Sequence, residues 1–314
     1  MTDISDKPSR PHKPRRRGNR LGFWFFGMAL RWTGLRGAYG LVWLVCVHYL
    51  LFDRAAVRAA GAYARRRFAG HSRLRQWFAI YRLFVEQGKN LIDRHCLLYG
   101  TRDFEIEFEG RAELDEVLAS SKGGFVLLMS HMGNWQTILA TLRHLNRPVH
   151  LLMRPEDNPA VRQSLRVDEQ AGPARVISPD GFLGGVVEMM ARLKEGDIVS
   201  IMGDRAYGAA TETAPFLGAP ARFPVAAWRL AAGAECPVVV LFPAKVSARR
   251  YRIRLAKVFR PRFEAGADRR AQTRSWIRDY AALLEQYAND YPFQCFLFRD
   301  IWTEKSGTSA TRVQ

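Results

Sequence analysis

His131 is the residue of this sequence best placed to act as a general base. It follows the continuous apolar run 125–129, which is typical of a buried strand, and apolar residues at helical spacing begin at Trp135. A histidine at the carboxyl end of such a strand lies where open α/β sheets bind ligands, and its imidazole titrates near neutral pH. The position indicates proton transfer with a bound substrate, although a loop histidine with a structural hydrogen bond fits the same pattern.

Two further predicted strands also end in charged residues, Arg154 and Asp204. Because the carboxyl ends of parallel strands share one edge of a sheet, we expect these two side chains to converge with His131 on one cleft. Each also has a simpler interpretation, since Arg154 before Pro155 suits a turn and Asp204 suits an ion pair with Arg205. The recurrence of polar groups at three strand ends favours a common site.

The elements that position these residues follow from the apolar patterns. Strands are predicted at 104–108, 125–129, 149–153, 175–177, 197–202, 237–242 and 251–258, and helices at 112–120, 159–170, 182–194 and 273–290. Most of these strands are too apolar for a sheet with one solvated face. The sequence therefore predicts an α/β fold with a mainly parallel central sheet flanked by helices.

The N-terminal region has the composition of a membrane attachment. We divide the chain into a disordered basic tail (1–20), a hydrophobic membrane anchor or interfacial hairpin (21–54), a catalytic domain (55–303) and a disordered tail (304–314). The uninterrupted apolar part, 38–52, is shorter than the roughly 20 residues that span a bilayer. A helical hairpin or interfacial anchor is therefore favoured over a single span.

The net charge of the chain limits the classes of partner that it is expected to bind. The net charge of the 314 residues is +18, which favours acidic partners such as nucleic acid, anionic lipid or an acidic carrier protein. No nucleic-acid-binding motif is found, and the basic residues flank the most hydrophobic segment, so an anionic membrane lipid is preferred and nucleic acid is not expected.

The spacing of the cysteines argues against a metal site, and the sequence around the serines argues against one class of hydrolase. The four cysteines, Cys46, Cys96, Cys236 and Cys295, lie singly in apolar surroundings without metal-ligand spacing. We expect them to be reduced, as on the cytosolic side of a membrane, and expect neither metal nor cofactor. The absence of a Gly-x-Ser-x-Gly motif argues against a hydrolase with a nucleophile elbow.

Five segments, in order, resemble those of one enzyme family. They are Ser130-His-Met-Gly-Asn-Trp135, Met153-Arg-Pro-x-Asp-Asn-Pro159, Gly203-Asp-Arg-x-Tyr-Gly208, the pair Pro215-Phe-Leu-Gly218 and Phe223-Pro224, and Tyr291-Pro-x-Gln294 with Trp302. Together they resemble the lysophospholipid acyltransferase superfamily, in its bacterial lipid A (lauroyl) acyltransferase branch. The resemblance extends over about residues 20–303.

The resemblance implies a glycerol-phosphate acyltransferase-like fold and transfer of a fatty acyl chain to a hydroxyl or amine of a membrane (glyco)lipid. The implied donor is a thioester of acyl carrier protein or coenzyme A, and the implied location is the cytoplasmic face of the bacterial inner membrane. His131 would be the base, and backbone N–H groups near Gly133 or the Arg154 side chain would stabilise the oxyanion. The implied substrate-binding residues are Arg154, Gly133, Asn134, Arg205, Tyr207, Phe216 and Gly218.

Two residues depart from the family pattern. The family has an acid five residues after the histidine, where this chain has Gln136, and Glu169 stands where an arginine is expected. We hypothesise that the Gln136 amide oxygen accepts the His131 ring N–H and that Asp204 contributes negative charge. The alternative is a catalytically silent homologue that binds acyl chains or acyl carrier protein.

Overall fold

The computed structural model describes residues 20–100, 103–120, 123–142, 145, 147–153, 174–180, 182–206 and 210–302. The helices are α1 (Arg20–Phe52), α2 (Arg54–Arg67), α3 (Arg73–Tyr99), α4 (Arg111–Ser120), α5 (Trp135–Leu142), α6 (Val186–Lys194), α7 (Ala226–Ala234) and α8 (Arg269–Asp290). The strands are β1 (Glu105–Glu109), β2 (Phe125–Met129), β3 (Val149–Leu152), β4 (Ala174–Ile177), β5 (Ile198–Met202), β6 (Thr211–Phe216), β7 (Ala219–Pro224), β8 (Val238–Lys245) and β9 (Arg250–Phe259).

Within this part of the chain, seven strands form one sheet in the order β1-β9-β8-β2-β5-β3-β4. Every neighbouring pair is parallel except β8 and β9, which a short connection joins as an antiparallel pair. The expected α/β class with a mainly parallel sheet is therefore confirmed. The helix predicted at 159–170, Glu169 and the tails lie outside the described residues, except that Arg20, which we assigned to the N-terminal tail, begins α1.

The central strands are buried on both sides because they are apolar throughout. Alternate residues of β2 enter opposite cores: Val126 and Leu128 contact the core that contains α1, α7 and α8, and Phe125, Leu127 and Met129 contact the core beneath α4 and α5. This alternation is the two-residue period of a strand covered by helices on both faces.

Three elements between Thr211 and Ala234 were not predicted from the sequence. Strands β6 and β7 form a separate antiparallel hairpin, and helix α7 follows it. Proline residues in this segment, Pro215, Pro220 and Pro224, hide a strand pattern because proline cannot donate a ladder hydrogen bond. The hairpin packs on α8, where Glu212 of β6 is buried and accepts a hydrogen bond from Arg270 Nε.

The N-terminal helix α1 includes a candidate membrane span, Trp24–Phe52, which is long and apolar enough by composition to cross a bilayer. Its backbone leaves the helical conformation at Gly34, so two helical segments meet there. Residues after this break share the main core with α2, α3 and the sheet. The segment is therefore a helical candidate anchor that also packs on the α/β domain.

Candidate active site

His131 and Asp204 meet at the carboxyl ends of the paired strands β2 and β5. The register Met129↔Met202 places the residues that follow these strands side by side. Asp204 Oδ1 lies 2.9 Å from His131 Nδ1, and Asp204 Oδ2 accepts the His131 backbone N–H at 2.7 Å. The predicted convergence of these two residues is therefore observed.

The carboxylate is completely buried, whereas 24% of the His131 side chain is exposed. Burial alone would raise the pKa of Asp204, but the charge and hydrogen bonds of His131, together with the charge of Arg205, hold that pKa below its ordinary value. Asp204 is therefore ionised at neutral pH. A carboxylate at Nδ1 selects the tautomer with its proton on Nδ1, which leaves Nε2 free to accept a proton.

The hypothesis that Gln136 accepts the His131 ring N–H is wrong, because Asp204 occupies that role. With its amide oriented to satisfy both partners, Gln136 donates to Asn134 Oδ1 at 2.7 Å and accepts from Arg94 Nε at 3.0 Å. Helix α5 begins at Trp135 and directs Gln136 towards α3 instead. Gln136 therefore helps to shape the loop after His131 but does not contact the imidazole.

The loop that carries His131 is held by residues near the end of the described chain. Gly133 donates its backbone N–H to the Gln294 carbonyl at 2.8 Å, and Phe296 donates to the His131 carbonyl at 2.8 Å. The Gln294 side chain in turn binds both backbone groups of Lys245, at 2.8 Å and 2.9 Å. The glutamine of the Tyr-Pro-x-Gln segment thus links the loop that carries His131 to β8.

The backbone conformation of the loop requires a glycine at position 133, and the Gly133 N–H is already hydrogen-bonded. Its φ of 55° lies in the left-handed region, and a Cβ there would clash with the Pro243 carbonyl oxygen. Since its N–H is bonded to Gln294, Gly133 does not supply the oxyanion donor that we expected from it in this arrangement. Asn134 is completely buried, so it also supports the loop instead of facing an open cleft.

Helix α3 supports the same loop, which the sequence did not reveal. Asn90 donates to the Gly133 carbonyl at 2.8 Å, and Arg94, one turn later, binds Gln136. Between them, Asp93 is buried and accepts hydrogen bonds from Lys245, Tyr251 and Tyr39. Burial raises the pKa of Asp93, although Lys245 and the two hydroxyl groups oppose this shift.

The remaining predicted binding residues have the following positions. Arg205 is half-buried and donates to the Phe296 carbonyl, close enough to Asp204 to affect its pKa. Phe216 is completely buried, and its ring stacks on Trp302 with centroids 5.6 Å apart, while Gly218 lies in the β6–β7 turn. These two residues organise the hairpin, and no open surface of Phe216 remains for a substrate. Arg154 and Tyr207 lie outside the described residues.

The described part of the chain contains no group of three His, Cys, Asp or Glu side chains arranged to hold a metal ion. The arrangement is instead that of an α/β protein with a histidine–carboxylate pair at the carboxyl edge of its sheet. A pair of this kind suits general-base chemistry on a substrate bound at that edge.

Comparison with known proteins identifies the family. Residues 42–298 match the bacterial lipid A biosynthesis acyltransferase family, so the chain belongs to that family and is an acyltransferase of lipid metabolism by membership. No curated protein matches the sequence. Among solved structures, the chain is similar to the 1-acyl-sn-glycerophosphate (LPA) acyltransferase PlsC from Thermotoga maritima. That match has 14% identity and a TM-score of 0.38, and it covers 80% of this chain and 98% of the other.

The role of Gln136 can be tested separately from that of the His131–Asp204 pair. We expect Gln136→Leu to destabilise the loop by about 1–3 kcal/mol, because the half-buried Arg94 and the completely buried Asn134 each lose a hydrogen-bond partner. We expect acyl transfer by the folded fraction to fall by less than about tenfold, since general-base catalysis itself accounts for roughly 10²–10⁴-fold. Thermal unfolding and turnover are measured on the same preparation. A loss of turnover as large as that of His131→Ala would show that Gln136 takes part in proton transfer.

Proposed function

We propose that this protein transfers a fatty acyl chain from an acyl-carrier-protein thioester to a hydroxyl or amine of a membrane (glyco)lipid, in a lipid A-type acylation. The proposed location is the cytoplasmic face of the bacterial inner membrane. The observation that carries the proposal is the His131–Asp204 pair at the edge of the sheet, because a carboxylate at Nδ1 favours the tautomer in which Nε2 is the acceptor. Family membership supports the acyl-transfer class.

In the proposed reaction, His131 Nε2 removes the proton from the acceptor hydroxyl or amine as that group attacks the thioester carbon. The buried Asp204 carboxylate stabilises the imidazolium that forms, through Nδ1. When the tetrahedral intermediate collapses, the C–S bond breaks, and the imidazolium returns the proton to the departing thiolate. The products are the acylated lipid and the free carrier thiol, and His131 is again neutral.

The carboxylate that the family places five residues after the histidine is absent, and Asp204 compensates for it. An amide at that position cannot stabilise an imidazolium by charge, but Asp204, which follows the neighbouring strand β5, can do so at 2.9 Å. Arg154 remains our proposed donor to the oxyanion.

The acidic donor protein and the anionic lipid partner are proposed on the basis of charge. A net charge of +18 attracts both an acidic carrier protein and phosphorylated headgroups. Acyl-coenzyme A carries the same thioester and is the alternative donor. No cofactor or metal is required, because the thioester is already activated and the enzyme needs to supply only a base and positioning.

The second candidate is a catalytically silent homologue that binds acyl chains or the carrier protein, which the replacement of the family acid by Gln136 favours. The test is to incubate membranes that contain the protein with labelled acyl carrier protein and a total lipid extract. We expect a labelled lipid that disappears with His131→Ala, while a parallel assay with acyl-coenzyme A identifies the donor. Absence of a labelled lipid with either donor, from a protein that still binds acyl carrier protein, would establish the silent homologue.

A further inference from the structure

Tyr251 lies between a buried ion pair and the loop that carries His131. The β8–β9 hairpin places Tyr251 directly opposite Lys245, and only 1% of Tyr251 is exposed. Its ring makes an edge contact with the Phe104 ring, with centroids 5.7 Å apart, and the Lys245 ammonium lies over it, 5.1 Å from the ring centroid. Because packing fixes the ring, the position of its hydroxyl group is fixed as well.

The Tyr251 hydroxyl donates its proton to the Asp93 carboxylate. Asp93 is completely buried, and it also accepts hydrogen bonds from the Lys245 ammonium and the Tyr39 hydroxyl. A phenolic hydroxyl has one proton to donate and two lone pairs that accept. With its proton directed at Asp93, the Tyr251 oxygen can act only as an acceptor towards a further partner.

The side chain of Asn134 has a matching donor. Its amide oxygen accepts from Gln136 at 2.7 Å, so its amide nitrogen is the group left to donate. That nitrogen is buried and makes no other hydrogen bond within the described part of the chain. Burial and the Asp93 charge raise the pKa of Tyr251, whereas a hydrogen bond from Asn134 lowers it. An N–H group that donates to the phenolic oxygen has this effect, because it stabilises the phenolate.

Asn134 determines where α5 starts, three residues after His131. Its carbonyl accepts hydrogen bonds from the Thr137 N–H at 3.0 Å and from the Thr137 hydroxyl at 2.7 Å, so Asn134 caps the first turn of the helix. The backbone groups of His131 and Gly133 are held separately, by hydrogen bonds with residues 294–296. The loop is therefore attached at two places, and the second attachment depends on the Asn134 side chain.

We propose that Tyr251 is a positioning residue for the acyl-transfer reaction and acts on His131 through Asn134. Anchored on the Asp93–Lys245 pair, its hydroxyl holds the loop so that His131 Nε2 meets the acceptor at the distance that proton transfer requires. A displacement of about 1 Å in such a site costs about 10²-fold in rate. This inference rests on the proposed function, because it names a residue that the same reaction requires.

The test compares Tyr251→Phe with Tyr39→Phe in the full-length protein. Each change removes one hydroxyl donor to Asp93 and keeps the ring, and Tyr39→Phe also removes the acceptor of a Lys245 hydrogen bond at 2.6 Å. Both variants should therefore lower Tm by about 2–8 °C. Only Tyr251→Phe removes the acceptor for Asn134. We expect kcat to fall about 10–10²-fold in Tyr251→Phe, with KM within about twofold, and to stay within about twofold of wild type in Tyr39→Phe.

A double-mutant cycle tests the route from Tyr251 to the loop. Asn134→Leu removes the amide donor at similar side-chain size, so adding Tyr251→Phe in that background should change kcat by less than about twofold. Equal kcat losses in Tyr251→Phe and Tyr39→Phe, a rise in KM alone, or losses that multiply across the cycle would each overturn the proposal. Should Tyr251→Phe not fold, the decision passes to Asn134→Leu, and an unchanged kcat in that variant would overturn the proposal.

An NMR measurement distinguishes failure of this proposal from failure of the acyl-transfer proposal, because it needs no turnover. The chain has seven histidines, and the His131 signals of protein with isotope-labelled histidine are identified by their loss in His131→Ala. Tyr251→Phe should shift the His131 Nδ1 signal, which reports the hydrogen bond to Asp204, and Tyr39→Phe should leave it in place. A signal unchanged in Tyr251→Phe would overturn the positioning role. The expected shift in a protein without turnover would support that role and refute only the acyl-transfer proposal.

Discussion

Asp204→Asn should lower acyl-transfer turnover by about 10²–10⁴-fold while the protein remains folded. Both carboxylate oxygens accept hydrogen bonds from His131, one from the backbone N–H at 2.7 Å and one at ring Nδ1 at 2.9 Å. An asparagine has one acceptor oxygen, so its NH₂ must face one of these positions. If the NH₂ faces Nδ1, the proton moves to Nε2 and the base is lost. The stabilising charge is lost in either orientation.

The chain contains a matched control for this substitution. His150 Nε2 lies 2.7 Å from Asp197 Oδ2, in a second histidine–carboxylate pair formed by β3 and the residue before β5. It lies at the amino ends of these strands, away from His131. Asp197→Asn should therefore leave turnover within about threefold, even if it costs about 1–3 kcal/mol of stability. Equal losses of turnover in the two variants, after correction for the folded fraction, would contradict a specific role for Asp204.

Deleting residues 1–52 should prevent the isolation of a stable, monodisperse domain. The apolar composition of α1 alone allows two outcomes, release into solution or aggregation, and the packing of α1 selects the second. Five residues of α1 after Gly34 are buried, and their burial contributes on the order of 5–8 kcal/mol to the free energy of unfolding. They are Leu35, Ala38, Val42, Cys46 and Leu50. That is comparable with the entire stability of many domains. The deletion also removes Tyr39, which donates a hydrogen bond to the buried Asp93 carboxylate.

The deletion is checked by size-exclusion chromatography and circular dichroism in mild detergent. A chain that lacks only residues 1–19 is the control, and we expect it to elute and unfold like the full-length protein. A monodisperse 53–314 protein with full turnover would show that α1 is a detachable anchor, and this would refute the shared core as a requirement for folding.

The convergence of His131 and Asp204 could be predicted because it depends only on the apolar pattern of the strands and on the parallel topology of the sheet. A continuous apolar run predicts a buried strand, and parallel strands bring their carboxyl ends to one edge. The atomic partner of His131 could not be predicted in the same way. Our expectation for Gln136 assumed a local contact across the turn, whereas the observed partner, Asp204, follows the neighbouring strand β5 and depends on the β2–β5 register.

The sequence did not predict that α3 supports the loop after His131, and the reason is different. Asn90, Asp93 and Arg94 lie among the many polar residues of an amphipathic helix, where such residues usually face solvent. One signal was available in Lys245, a single lysine at the end of the long apolar run that forms β8. A lysine in such a position needs a buried acid, but the sequence does not tell which acid meets it.

The hydrogen bonds between residues 294–296 and the loop at 131–133 also imply a sequence of events during synthesis of the chain, because the two segments are made at different times. A ribosome completes α1, α3 and His131 well before it reaches Gln294, and the intervening stretch takes roughly 10–30 s at bacterial rates of elongation. During that interval the nascent chain already contains its apolar N-terminal helix, while the loop at 131–133 has no partner for the Gly133 N–H. Attachment to a membrane can therefore precede assembly of the candidate active site, and a ribosome that stalls before residue 296 leaves a product in which residues 294–296 do not hold this loop.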